Sequence, residues 1–138
     1  MLESWNYMRL ARPTNKLEEM RTFYEKVLGL EKIGEFNHNG YHGLLIGLPD
    51  QKVHLELLQS DHDFNTVAPN DDHLLVFYLH TIEQVEAVRT KLKGHGVEPV
   101  EPVNPYWKDK AYTFEDPEGW RVVFCIDINK YKQGERIL

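Results

Sequence analysis

The sequence predicts an α+β fold in which two βαβββ modules form a curled mixed sheet around a cleft. One observation is the order of the elements, since the hydrophobic patterns run β-α-β-β-β, pass through a polar linker and repeat. Another is an internal register. Gly29-Leu30-Glu31 recurs as Gly96-Val97-Glu98, and the segment 55–58 recurs as 122–125, both at an offset of 67 residues. Identity between the halves is low, so the repeat is architectural.

The repeat also sets the expected domain organisation. We expect a single domain over residues 1–138, with a first module at about residues 5–60, a linker at 61–72 and a second module at about 73–128. A chain of this length is large enough to build a hydrophobic core without disulfides or metals.

The first module contains one predicted helix and four predicted strands. The helix is expected to begin at Asn15, because Glu18 three residues on gives a capping-box spacing, and to end at Gly29. Its apolar stripe consists of Leu17, Met20, Tyr24, Val27 and Leu28. The strands are predicted at Tyr7 to Arg12, Leu30 to Asn37, Tyr41 to Leu48 and Val53 to Gln59, with turns at Asn39-Gly40 and Pro49-Asp50.

The second module repeats this order. Its helix is expected to begin at Thr81, with Gln84 three residues on, and to end at Gly94 and Gly96. The segment 116–119 predicts a type I turn, because proline is second and glycine fourth. The strands are predicted at His73 to Leu79, Val97 to Val103, Tyr112 to Glu115 and Trp120 to Ile126.

Composition argues against several classes of partner. The net charge is −6 and no Lys/Arg cluster is present, so nucleic acid is not an expected partner. No stretch approaches the ~18 apolar residues of a membrane span. The N-terminus lacks the basic start and apolar run of a signal peptide, so we expect a cytoplasmic protein. Cys125 is the single cysteine, which excludes an internal disulfide and Cys-x-x-Cys zinc sites.

Side-chain alternation along Val53 to Gln59 identifies candidate site residues. His54, Glu56 and Leu58 share one face, while the opposite, apolar set is expected to pack on the helix. His54 and Glu56 are therefore aimed into the cleft or toward a partner. Arg9 is the natural counter-ion of Glu56, and the pair could bind a polar or charged ligand. The alternative is a purely structural ion pair.

Two motifs carry a resemblance to a known family. Phe23-Tyr24 followed by Leu28-Gly29-Leu30 forms the pattern FY-x-x-x-LGL, and the segment 116–119 reads DPEG. Together they make the chain similar, over roughly residues 5–128, to the vicinal oxygen chelate superfamily. That superfamily includes glyoxalase I, fosfomycin-resistance proteins, extradiol dioxygenases and bleomycin-resistance proteins.

The resemblance implies four inward positions at which the family's enzymes hold one divalent metal. These positions are on the first and the last strand of each half. In the first half they fall on or beside Arg9 and on Glu56. In the second half they fall on His73, or on Leu74 beside it, and on Val123. Only Glu56 and His73 have ligating side chains.

The resemblance therefore favours the bleomycin-resistance branch, whose members bind a small molecule in a cleft without the metal, usually as homodimers. We expect a homodimer here as well. The alternative is a metal-dependent lyase, isomerase or dioxygenase with one divalent metal ion on Glu56, His73 and His54.

A loop before the seventh predicted strand supplies two further candidates. In the family this loop closes over the cleft, so Tyr106 and Trp107 are expected to contact ligand; the alternative is a loop that packs on its own domain. The predicted ligand-binding set is thus Arg9, Glu56, His73, Tyr106 and Trp107, with no catalytic residue assigned. For His73, the alternative is a surface histidine at a strand start.

Overall fold

The computed structural model describes residues 4–48 and 52–127, and the chain divides into two compact units, Met1–Thr66 and Val67–Leu138. Each unit contains one predicted module with a helix packed on a sheet, so the α+β fold class is confirmed. The predicted turn at Pro49-Asp50 lies outside the described residues.

The first unit contains a four-stranded mixed sheet with the order β1-β4-β3-β2. Its strands are β1 (Met8–Pro13), β2 (Glu31–His38), β3 (Tyr41–Gly47) and β4 (Val53–Ser60). β1 runs parallel to β4, and β3 is antiparallel to both β4 and β2. The predicted hairpin is confirmed, because Asn39 and Gly40 have φ angles of 55° and 80°, the left-handed values that a two-residue type I′ turn requires.

One helical stretch covers this sheet. α1 (Leu17–Arg21) continues directly into a π-helical segment (Thr22–Val27). The predicted apolar stripe is confirmed in its buried members, which are Leu17, Met20, Tyr24 and Val27. Leu55 and Leu57 of β4, which α1 contacts, are buried as well, and a fully buried side chain of this size contributes about 1.5–3 kcal/mol.

The predicted start of the first helix is wrong. The N-cap residue is Lys16, and no side chain of its own caps the helix. Instead, Gln59 Oε1 on β4 accepts the hydrogen bond of Leu17 N at 2.9 Å. The Asn15 side chain donates to Phe64 O at 2.9 Å and accepts from Phe64 N at 2.8 Å. The capping box predicted from the spacing does not form, because the Asn15 side chain binds the backbone of Phe64, 49 residues further along the chain.

A charged cluster centred on Glu35 joins the helix to the outer strands. Arg21 donates to both carboxylate oxygens, from Nη1 at 3.1 Å and from Nη2 at 2.7 Å. Lys32 Nζ lies 2.8 Å from Oε1, and His42 Nε2 lies 2.6 Å from Oε2. These hydrogen bonds, that of Arg21 first, hold the pKa of Glu35 far below its ordinary value. One carboxylate therefore holds α1, β2 and β3 together.

The second unit has a three-stranded sheet with the order β5-β7-β6. Its elements are β5 (Leu74–Leu79), α2 (Ile82–Lys93), a 3₁₀ turn (Pro105–Trp107), β6 (Ala111–Glu115) and β7 (Arg121–Ile126). β5 is parallel to β7, and β6 is antiparallel to it. The predicted capping box of α2 is confirmed, because Thr81 Oγ1 accepts from Gln84 N and Gln84 Oε1 accepts from Thr81 N, both at 3.1 Å.

The predicted strand at Val97 to Val103 is wrong. Only one isolated bridge joins this segment to β6, where Val100 N donates to Thr113 O at 2.8 Å. Pro99 and Pro102 lack the N–H groups that a continuous ladder needs, so the pairing stops on both sides of the bridge. The second unit therefore has one strand fewer than the first.

The turn at 116–119 is confirmed. Gly119 N donates to Asp116 O at 2.8 Å, and Gly119 has a φ angle of 83°. Asp116 is buried, and its Oδ1 accepts from Glu118 N at 2.9 Å and from Trp120 N at 3.1 Å. The carboxylate thus organises the turn from inside.

No helix in the described part of the chain combines the length and the hydrophobicity needed to cross a bilayer.

Replacing Glu35 with Gln is expected to lower the free energy of unfolding by about 1–2 kcal/mol at neutral pH, because charge-assisted hydrogen bonds are lost. The folded state lowers the pKa of Glu35, so the wild-type carboxylate contributes fully above its unfolded pKa and progressively less as the pH falls. The difference between wild type and E35Q should shrink from about pH 6 to about pH 3 in urea unfolding.

The matched control is E19Q, which removes an exposed carboxylate from α1, the helix whose Arg21 binds Glu35, and should change stability little at either pH. A wild-type–E35Q difference that stays constant across this range would contradict the role given to Glu35.

Candidate functional site

The helix-free face of the first sheet contains the predicted charged pair. β1 and β4 are paired in parallel with Arg9 beside His54 and Ala11 beside Glu56, so all four side chains leave the sheet on one side. Arg9 Nη1 lies 3.6 Å from Glu56 Oε1, and the two side chains are 33% and 16% exposed. The structure therefore brings Arg9 and Glu56 together, with the Glu56 side chain the more buried of the two.

Tyr7 extends this pair into a cluster of four residues. Its ring stacks on the His54 ring with the centroids 4.7 Å apart and an interplanar angle of 21°. The Arg9 guanidinium carbon lies 5.4 Å from the Tyr7 ring centroid. We call Tyr7, Arg9, His54 and Glu56 the first-unit cluster. Sequence reasoning missed Tyr7, although its place two residues before Arg9 puts it on the same side of an extended chain.

An apolar surface lies on the same face of the sheet. Leu45 is the pairing partner of Glu56 and Leu58 is that of Gly43, and both leucines are half-buried. The Phe36 ring lies over Gly43, at a position that any β-carbon on residue 43 would occupy. Glycine at position 43 therefore leaves room for the aromatic ring against the strand. The surface offers apolar contact beside two opposite charges.

The strand pairing resolves which residue of the second unit corresponds to Arg9. In the first unit Arg9 pairs with His54, and the 67-residue offset carries His54 to Arg121, whose partner on β5 is Leu74. Leu74 is therefore the counterpart of Arg9, and Val123 that of Glu56. His73 precedes β5, is exposed, and contacts the Trp120 ring edge-on at 5.9 Å between centroids.

Trp107 and Tyr106 are placed differently from each other. Trp107 packs against Ala111, Val123 and Cys125 on the helix-free face of the second sheet. Tyr106 is 46% exposed, contacts Trp107 edge-on at 4.9 Å, and has Lys110 Nζ 3.6 Å from its ring centroid. The indole contributes to the core of its own unit, whereas the phenol remains accessible.

Cys125 is buried in this cluster. Burial raises the pKa of its thiol to about 11, so the thiolate needed for nucleophilic chemistry is scarce at neutral pH.

The residues present do not fit the metal site that the resemblance implies. The four corresponding positions are Arg9, Glu56, Leu74 and Val123, and only Glu56 has a ligating side chain. The Arg9 guanidinium, which is always charged, lies against that carboxylate. Across residues 4–48 and 52–127, no group of three or more His, Cys, Asp or Glu side chains is arranged to hold a metal ion. His54 and Glu56 belong to the first unit and His73 to the second.

Two family models match the chain. The YycE-like N-terminal domain matches residues 8–58, and the YycE-like C-terminal domain matches residues 72–125. The chain is 47% identical over 118 residues to the uncharacterized protein YycE of Bacillus subtilis (strain 168), covering 85% of each protein.

Solved structures show the same likeness. A crystal structure of the YycE protein of Bacillus subtilis, described as of unknown function and as a candidate glyoxalase/fosfomycin resistance protein, matches with a TM-score of 0.83, 44% identity and 94% coverage of both chains. TnmS3, an antibiotic binding protein from Streptomyces sp. CB03234, matches with a TM-score of 0.68 and 19% identity over 91% of this chain and 98% of that one. The trypanothione-dependent glyoxalase I of Leishmania major matches with a TM-score of 0.67 and 16% identity over 92% and 90%. The last two show the fold alone.

The different placements of Trp107 and Tyr106 predict different stabilities. Replacing Trp107 with Ala should lower the free energy of unfolding by about 2–3 kcal/mol, because a half-buried indole leaves a cavity over the apolar cluster. Replacing Tyr106 with Ala should cost less than about 1 kcal/mol, because exposed side chains contribute little. Urea unfolding of the two variants tests this, and equal losses would show that the loop is held by both rings.

Proposed function

Because the chain belongs to the YycE-like family and has the vicinal oxygen chelate fold, we propose that it binds a small amphipathic molecule without a divalent metal ion. The first-unit cluster is the proposed contact for the charged group of that molecule. The half-buried apolar surface of Leu45, Leu58 and Phe36 is the proposed contact for its body.

The observation that carries this proposal is the loose geometry of the Arg9–Glu56 pair. The 3.6 Å separation is longer than the 2.7–2.9 Å of a charge-assisted hydrogen bond, and no other partner of either charge lies within ion-pair distance in the described chain. A guanidinium has five donors and a carboxylate about four acceptor sites, so most of this capacity is left for a ligand.

Partial burial of Glu56 strengthens the attraction between its carboxylate and a ligand. With 16% of its side chain exposed, Glu56 has lost much of its hydration, and a new partner is attracted more strongly than it would be in open water. Tyr7, which is 54% exposed, adds an aromatic surface next to the charges. An apolar surface beside a few placed polar groups is the usual composition of a small-molecule site.

The fold of TnmS3, an antibiotic binding protein, matches this chain, which supports a binding role for the architecture. The alternative proposal is a metal-dependent lyase, isomerase or dioxygenase with ligands drawn from Glu56, His54 and His73. It is weaker because Arg9, Leu74 and Val123 stand at the other ligand positions and because the Tyr7 ring covers His54.

A direct measurement separates the two proposals. Protein purified without an affinity tag should contain far less than one equivalent of Ni, Mn, Fe or Zn, and these ions should leave its melting temperature unchanged. The control is E56Q, in which the strongest candidate ligand is removed. Stoichiometric metal in the wild type that is lost in E56Q would establish the enzyme alternative instead.

A thermal-shift panel of amphipathic molecules with one charge tests the binding role. Compounds that bind the native state should raise the melting temperature. For cationic compounds, E56Q should weaken binding by about tenfold or more, which corresponds to about 1.4 kcal/mol. For anionic compounds, R9Q should have the same effect, while E19Q on the exposed helix surface should change neither. Hits that bind all three variants as well as the wild type would place the site elsewhere.

The homodimer is also part of this proposal, and it rests on the resemblance. Light scattering on the intact chain should give twice the mass of 16.3 kDa, and a monomer at all concentrations would contradict it.

A further inference from the structure

A recess in the second unit contains none of the residues of the proposed function. It has a volume of about 450 Å³ and lies between α2, β6 and the segment 98–102. The recess exists because Pro99 and Pro102 lack the N–H groups that the segment would need to pair continuously with β6. Within the segment 98–102, only Val100 forms a bridge to β6, with Thr113. The volume falls in the range of small-molecule sites, about 300–1,000 Å³.

Arg89 of α2 is the distinctive residue of this recess. Its guanidinium carbon lies 5.1 Å from the Tyr112 ring centroid, and its Nε is buried without a hydrogen-bond partner in the described chain. No hydrogen bond or ion pair joins Arg89 to any described residue, so its guanidinium lines the recess without an acceptor from the described chain. Because Arg89 lines the recess, a ligand bound there could accept from the accessible part of its guanidinium.

The aromatic support of Arg89 is itself held in place. The Tyr112 hydroxyl donates to Glu86 Oε1 at 2.8 Å, which fixes the ring on which the guanidinium rests. Arg89 and Glu86 are three residues apart on the same helix, so α2 positions both the cation and its support. A guanidinium is planar and presents its donors as a fork, the geometry that a carboxylate matches with two hydrogen bonds.

The other charged residues that line the recess favour a ligand with a single negative charge. Lys108 lies 3.9 Å from Glu101, and both are well exposed, so this pair is nearly neutral and weak. Glu98 is exposed and lines the recess without an ion pair to a described residue. It repels multiply charged anions more than single ones, because Coulomb repulsion scales with the ligand's charge.

We propose that this recess is a second binding site that takes a small molecule with one carboxylate, held by Arg89, with its apolar body against Val100 and the two prolines. The site is carried by the second unit alone and does not depend on the first-unit cluster.

The test is an NMR titration of the intact ¹⁵N-labelled chain with benzoate, and with benzamide as the uncharged analogue of the same shape. Benzoate should produce saturable shifts at the amides of Val100, Tyr112 and Thr113, with a Kd in the millimolar range, about −3 to −4 kcal/mol for a fragment of this size. Benzamide should not.

Three variants make the result specific. R89Q should weaken benzoate binding by about tenfold or more, as expected for the loss of a charged double hydrogen bond. K93Q, which removes an exposed cation one turn further along α2, should bind as the wild type does. E98Q should bind about two- to threefold more tightly, because a repelling charge is removed. This gain cannot arise from misfolding.

The opposite outcomes would overturn the proposal. These are an absence of saturable shifts up to about 50 mM benzoate, equal shifts with benzamide, or unchanged binding by R89Q. Inorganic phosphate that binds these amides more tightly than benzoate, with loss in R89Q, would overturn the assignment to a carboxylate.

Discussion

The parallel pairing of the first and last strands of each unit is the constraint on which the rest of the structure depends. β1 pairs with β4 and β5 with β7, so each unit is closed by strands from opposite ends of its own sequence. A parallel pair requires a long crossover, and the helix and the intervening strands supply it. This pairing decides which side chains share a face. It places Arg9 beside His54 in one unit and Leu74 beside Arg121 in the other.

The two units use the same face of their sheets in different ways. In the first unit the face holds a loose ion pair, an imidazole and two aromatic rings, and much of it is half-exposed. In the second unit the corresponding positions are Leu74 and Val123, and both Leu74 and Trp107 pack against the buried cluster that contains Val123. Trp107 is therefore part of the core of the second unit. The loop that carries it has two aromatic residues with different roles, because Trp107 is packed against the sheet and Tyr106 is accessible. The polar chemistry of this face is concentrated in the first unit.

Charges in this chain differ in how fully they are paired, and the difference separates structural from candidate functional groups. Glu35 has three partners, Arg21, Lys32 and His42, each on a different element. Arg21 alone donates two hydrogen bonds, so Glu35 has little capacity left for a ligand. Glu56 has one partner at 3.6 Å, and Arg89 has an aromatic contact but no acceptor in the described chain. Because a buried polar group is stabilised only when its hydrogen bonds are made, the under-used groups are the ones at which a ligand gains most.

The sequence by itself determined the fold class, the two-module order, the hairpin at Asn39-Gly40, the capping box at Thr81 and the faces of β4. Each of these follows from side-chain periodicity or from a turn residue whose backbone preference is local. Only the tertiary structure decided that Asn15 binds Phe64 instead of capping its helix, because the winning partner lies 49 residues away. Strand pairing likewise decided which residue of the second unit corresponds to Arg9. His73 and Leu74 are adjacent in the sequence, and the hydrophobic pattern does not show which of them takes that position. The recess at Arg89 was out of reach of the sequence for the same reason. It depends on how far the segment 98–102 stands from β6, which is a distance between chain segments and not a property of either one.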